Sequence, residues 1–157
     1  MARFHYSMQS ILDIKLKMET QAKQDFSAAR AALDKEEELL QQLIDRKRGY
    51  EDRGAQLLTG NLDLQKIEEN KAAILSMDGF IADQRERVAL AEERLEQARR
   101  RLTEVMQERK THENLKEKAF EQFLAEENRR ESKEVDELTS YVYGQRRSEK
   151  NRESAPA

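Results

Sequence analysis

The residues able to do chemistry in this chain are few and badly placed for it. His5 and His112 are its two histidines, and neither has a nucleophile or a further metal ligand at helical spacing. The absence of cysteine removes disulfides and thiolate metal sites. Five glycines are scattered, and none precedes a Lys-Ser or Lys-Thr pair, so no phosphate-cradling loop is present. The run Glu36-Glu37-Glu38 falls in a helical stretch, where successive carboxylates fan around the axis instead of caging a cation. Arg46-Lys47-Arg48 and Arg99-Arg100-Arg101 have the charge to meet phosphates. Glu96, however, stands four residues before Arg100, a spacing that supports a helix by itself. No aromatic residues interleave with these clusters, and the net charge is −3, so nucleic-acid binding is not expected. No catalytic, cofactor or metal residue is assigned, and the chain is read as non-enzymatic.

What must then be explained is the scaffold. Of 157 residues, 39% are charged and 37% hydrophobic, with one proline and no tryptophan. Such a chain has few turn residues with which to wind a sheet and few large side chains to fill a thick core. It suits long helices that each bury one narrow stripe, with disorder as the competing reading. No apolar run approaches the roughly 18 residues that a membrane span requires, and the N-terminus lacks a secretory apolar region. A cytoplasmic protein without direct membrane insertion is expected.

Periodicity decides between rod and disorder. From Ile67 the steps of three and four run through Asn70, Ile74, Met77, Ile81, Gln84, Val88, Ala91, Leu95, Ala98, Leu102 and Val105. The same frame crosses Arg109, His112 and Lys116 and recovers at Ala119 and Phe123. A first helix shares one frame over Phe26, Ala29, Leu33, Glu36, Leu40, Leu43, Lys47, Tyr50 and Leu57. Before it, Met8, Ile11, Lys15, Met18 and Ala22 share another, which predicts a stutter between Met18 and Phe26.

The frame is lost at Thr59-Gly60-Asn61. There Gly60 can take the left-handed conformation, and Asn61 or Asp63 can cap a second helix. Gly79, across which the phase holds, is read as a helical glycine. The expected fold is all-α, a long antiparallel two-helix coiled-coil hairpin with an overhanging C-terminal helix. Residues 1–143 form one hairpin, with helices over about 4–58 and 62–143 and a turn at 59–61, and 144–157 form a disordered tail. Folding back at Gly60 pairs Leu57 with Ile67, Tyr50 with Ile74, Leu43 with Ile81 and Phe26 with Ala98.

The two arms are unequal. Residues beyond about 122 lack a partner within the chain, yet they keep Phe123, Leu124, Val135, Leu138, Tyr141 and Val142. An unpaired apolar stripe of this kind marks a partner surface. The same register places Lys15 near Arg109 and Met8 near Lys116, two layers poorly suited to a seam. A firm turn half and a loosely held open end are expected.

The N-terminal stretch "FHYSMQSILDIKLKMETQAKQDF" resembles the opening of the FliJ family of flagellar export proteins. The resemblance rests on Phe4, Tyr6, Met8, Ile11, Leu12, Lys15 or Lys17, Glu19, Ala22 and Phe26, and covers about residues 4 to 143. Phe-Leu-Ala at 123–125, followed by a charged run, is similar to the family's C-terminal region. The resemblance implies a stalk of the type III export apparatus, peripheral at the cytoplasmic face of the cell membrane at the flagellar base. It implies an end that binds the hexameric flagellar export ATPase, carried here by Phe4, Met8, Ile11, Phe120, Phe123, Leu124 and Leu138. Contact with the cytoplasmic domain of the export gate is assigned to Leu43, Tyr50, Met77, Ile81 and Gln84, within "LIDRKRGY" and "ILSMDGFIADQ". Flagellar export chaperones are further partners that the resemblance implies. The chain alone is expected to be monomeric. Two alternatives stand beside this reading: an injectisome stalk homologue, and a self-associating coiled coil that dimerises through the overhang.

Overall fold

A computed structural model describes residues 2–155. Met1, Pro156 and Ala157, the extreme ends of the expected hairpin and tail, lie outside the described residues. Two helices account for nearly all of it: α1, Gln9–Leu57, and α2, Leu64–Glu153. They pack against each other as the expected antiparallel hairpin. No strand occurs among the described residues. The chain divides into two compact units. One joins Met1–Ile14 with Arg109–Ala157, and the other is the continuous stretch Lys15–Glu108.

The turn lies in the second unit and is built from local hydrogen bonds. Gly60 takes a φ of 77°, a conformation in which a Cβ would crowd the following carbonyl. Thr59 donates both its amide, at 3.1 Å, and its hydroxyl, at 2.7 Å, to the Gln56 carbonyl at the end of α1. Asp63 starts α2, its Oδ1 accepting from the Gln65 and Lys66 amides at 3.1 and 3.4 Å. The cap is thus Asp63, the second of the two residues the sequence offers.

The seam of α2 follows its heptads closely. Each expected position from Ile67 to Phe123 is buried or half-buried, including Arg109, His112 and Lys116. On α1 the expected stutter is absent. Leu12 and Glu19 are buried at 4% and 6% exposure, whereas Met8 and Ile11 are each 39% exposed. The buried frame runs Leu12, Lys15, Glu19, Ala22, Phe26, with alternating steps of three and four throughout. The sequence reading followed the apolar residues Met8, Ile11 and Met18. The helix instead keeps its phase and accepts a carboxylate in the seam, with Lys23 3.5 Å from Glu19.

Two amides of α2 reach across the second unit to backbone carbonyls of α1. Asn70 Nδ2 donates to the Tyr50 carbonyl at 2.9 Å, and Gln84 Nε2 to the Glu36 carbonyl at 3.0 Å. Gln84 also donates to the Glu36 carboxylate. The two bonds sit two heptads apart on both helices, so an axial slip of either helix breaks both at once. Polar seam residues fix register in coiled coils for this reason. Lys47 adds an ion pair of 2.6 Å to Asp78, and this hydrogen bond holds its ammonium above the ordinary lysine range.

Two sequence expectations need correction. Lys15 and Arg109 do not meet as bare cations: Lys15 binds Glu108 at 2.8 Å and Arg109 binds Glu113 at 2.7 Å. The residues expected to form a disordered tail continue α2 as far as Glu153. Their polarity argued for disorder, but Gln, Arg, Glu and Lys are good helix formers, and Lys150 and Arg152 complement the dipole of the last turn. Gln145 also donates to the Tyr141 hydroxyl at 2.8 Å. From residue 131 to 155 every position is exposed.

The glycines separate three effects. Gly60→Ala meets no neighbouring atom and carries only the backbone penalty, so unfolding free energy falls by about 1–2 kcal/mol. Gly79→Ala, helical and open, raises it by about 1 kcal/mol. At Gly54 a Cβ would lie 2.5 Å from Asn70 Oδ1. There the helical gain is offset by disturbing a bond worth about 1 kcal/mol, and no stabilisation is expected. Thermal unfolding followed by circular dichroism ranks the three.

Candidate functional site

The first unit brings together three of the seven residues assigned to its apolar end. Phe4, in the segment before α1, packs edge-on against Phe120 of α2 with ring centroids 5.1 Å apart. It lies tilted on Phe123 at 5.4 Å, while Phe120 and Phe123 stack at 6.4 Å. Aromatic pairs at these distances contribute roughly 0.5–1.5 kcal/mol beyond the area they bury. The cluster nonetheless stays partly open, with Phe120 at 42% exposure.

Around it the unit is under-covered. Met8 and Ile11 face water, as do Leu124 at 43% and Leu138 at 64%. Leu138 stands apart from the aromatic cluster, about 20 Å further along α2 from Phe123 at 1.5 Å per residue. Val135, Tyr141, Val142 and Tyr143 are likewise exposed. Leu12 is the single buried apolar side chain of this unit among the described residues. The sequence reading missed its role because Ile11 carries an equally apolar side chain one position away. The Tyr6 hydroxyl and His112 Nδ1 are buried here without a hydrogen-bond partner, so this end contains polar atoms that its own packing leaves unsatisfied.

The five residues assigned to a second contact occupy a different environment. Met77, Ile81 and Gln84 are buried at 4%, 9% and 5% exposure, and Leu43 and Tyr50 are half-buried. All belong to the α1–α2 seam, and Gln84 is committed to Glu36. Burial removes Met77, Ile81 and Gln84 from any docking surface. Their heptad phase gave them a seam position, and motif location alone suggested exposure. Tyr50 lines a shallow cleft of about 190 Å³ with Arg53, Leu57, Lys66, Glu69, Asn70 and Ala73. Across the seam a second cleft of about 250 Å³ is lined by Leu57, Ile67, Asn70 and Ile74 among others, consistent with the expected Leu57–Ile67 layer. Neither cleft sets a base beside a nucleophile. Within the segment that carries Met77 and Ile81, the exposed apolar residues are Leu75 (71%) and Phe80 (57%), and others of this unit stand elsewhere, such as Leu58 and Leu64 at the turn.

The second basic cluster is ion-paired along its own helix, and in the first Lys47 is paired with Asp78 and Glu51. Glu96 holds Arg99 at 2.6 Å and Arg100 at 3.1 Å, while Arg101 lies 3.9 Å from Glu104. Hydrogen bonds from Arg99, then Arg100, lower the Glu96 carboxyl to about 2. Cations paired this way are poor counter-charges for phosphates. Among the described residues no helix is long and apolar enough to cross a membrane, and no group of three or more acidic, histidine or cysteine side chains is arranged to hold a metal.

Comparison with known proteins gives this architecture its place. A search of curated proteins finds no match. Among solved structures, the fold is similar to that of a candidate YscO homolog, CT670, from Chlamydia trachomatis. The TM-score is 0.74 at 22% identity, covering 93% of this chain and 99% of that one; at that identity the likeness shows the fold alone. The family model described as flagellar FliJ protein matches residues 4–148, which include the Phe4–Phe120–Phe123 cluster, all of α1 and α2 as far as Ser148. The chain therefore belongs to the flagellar FliJ protein family, a component of flagellar type III export.

Proposed function

We propose that this chain is a non-enzymatic stalk whose open end completes its hydrophobic burial inside the ring of the flagellar export ATPase. The observation that carries the reading is the first unit itself. It combines a half-covered triad of phenylalanines, one buried apolar side chain, and a helix exposed from residue 131 onwards. A surface of this composition is unfavourable in water and favourable in a concave apolar channel. Phe4, Met8, Ile11, Phe120, Phe123 and Leu124 supply the upper contact, and Leu138 a lower one.

Contact with the cytoplasmic domain of the export gate is a second part of the proposal, moved to residues that are available. Leu75 and Phe80 are exposed within the same α2 segment that the family resemblance singled out. Delivery of export chaperones and a peripheral position at the flagellar base follow from the same role. The injectisome reading shares this physics and differs in its partners; the flagellar family match favours the first.

Purified ATPase mixed with the chain tests the ring contact by hydrolysis rate and by ring assembly in electron micrographs. Wild-type chain is expected to promote both. Leu138→Ala and Leu124→Ala remove exposed side chains only, so helicity should persist while the ATPase response weakens several-fold, on the order of 1 kcal/mol per anchor lost. Phe123→Ala/Leu124→Ala should abolish it. No response to wild-type chain, or an equal response to all variants, would contradict the proposal.

A further inference from the structure

The segment that carries Phe4 is held onto α2 by little besides its aromatic rings. Residues 2–6 precede α1 and are not helical. Among the described residues, one backbone hydrogen bond reaches them, from the Gln9 amide to the Tyr6 carbonyl at 3.2 Å. Phe4 supplies the attachment by packing on Phe120 and Phe123. Two residues on, the Tyr6 hydroxyl is buried with no hydrogen-bond partner. A buried, unpartnered hydroxyl costs about as much as a pair of such ring contacts returns. What remains to hold the segment is the area that Phe4 covers, and Phe120 is still 42% exposed with the segment in place. α1 has its own anchor in Leu12, at 4% exposure, so the segment can lift while the helix stays docked.

We infer that residues 2–6 form a displaceable strap, closed over Phe120 and Phe123 in the free chain and lifted when this end engages its partner. The partner is the export ATPase, and to that extent the inference rests on the proposed ring contact. A partner draws the strap open when it binds the open state better than the closed one. An apolar side chain that covers both Phe120 and Phe123 does so, because Phe4 leaves them half-covered. Lifting also returns the Tyr6 hydroxyl to water or to an acceptor on the partner, and it frees the Phe4 ring to join the new contact. In the free chain the closed strap reduces the aromatic surface left in water.

Tryptophan is absent from the chain, so Phe4→Trp reports the strap alone. In the isolated protein its emission should shift to the red at a lower temperature than helicity is lost by circular dichroism. Tyr6→Phe, added to that chain, removes only the unpartnered hydroxyl; it should raise the first midpoint and leave the second unchanged. Coincident transitions, or a first midpoint lowered by Tyr6→Phe, would overturn the inference. A latch tests the coupling to the partner. His5→Cys/Glu117→Cys, at two exposed positions, is bridged by a reducible bismaleimide and mixed with the ATPase. The bridged chain should promote hydrolysis and ring assembly about tenfold less than wild type and recover on reduction. Each single-cysteine chain treated with the same reagent should respond as wild type does. A bridged chain as active as wild type would overturn the strap. Failure of the wild-type chain to stimulate the ATPase would instead overturn the ring reading, with the order of the two melting transitions still deciding the strap.

Discussion

Each helix of this protein carries an apolar stripe too narrow to make a core and too long to leave in water. That constraint organises everything else. A stripe of one side chain per half-heptad can be buried only against a second stripe of the same period, and the chain supplies both and reverses between them. The reversal depends on one residue, Gly60, because a φ of 77° is costly for any residue with a Cβ. Once the turn is made, burial proceeds layer by layer. Each well-covered Leu or Ile contributes about 1.5–3 kcal/mol, and stability accumulates along the seam instead of in a centre.

A seam made mainly of small and aliphatic residues does not define its own register, since neighbouring heptads look alike. Asn70 and Gln84 remove that degeneracy by donating to particular carbonyls of α1. The same requirement explains why a carboxylate is tolerated at Glu19 and a lysine at Lys15. Each has a charged neighbour, Lys23 in one case and Glu108 in the other, so phase is kept without leaving a bare charge in the interface. Precision of this kind belongs to the second unit. The first has its three phenylalanines, Leu12, and much apolar surface without cover, which suits a part that finishes its packing on another protein.

How far this was legible in sequence varied with how local the signal was. The phase of α2 was readable from Ile67 to Phe123 because identity and period agreed over many turns. The phase of early α1 was not, because Ile11 and Leu12 are equally apolar and Met18 is a better-looking seam residue than Glu19. Only the partner helix breaks that tie. The helical state of residues 144–153 was obscured by polarity, although seven of the ten are Gln, Arg, Glu or Lys, good helix formers. The aromatic end was visible from the family resemblance and from the unpaired apolar spacing of the overhang, whereas the assigned gate contacts confused location in a motif with exposure. Met77, Ile81 and Gln84 had already been placed on the seam by their own spacing.

The account rests most directly on the two arms lying side by side, and one distance measures that. Cysteine is absent from the chain, so Lys23→Cys and Arg101→Cys, both at exposed positions, can carry spin labels without competition. Packed helices have axes roughly 8–10 Å apart, and with label arms the account predicts a narrow distribution below about 40 Å. Arms that failed to close would extend the pair toward on the order of 110 Å, and a distribution centred near that value in the isolated protein would contradict it.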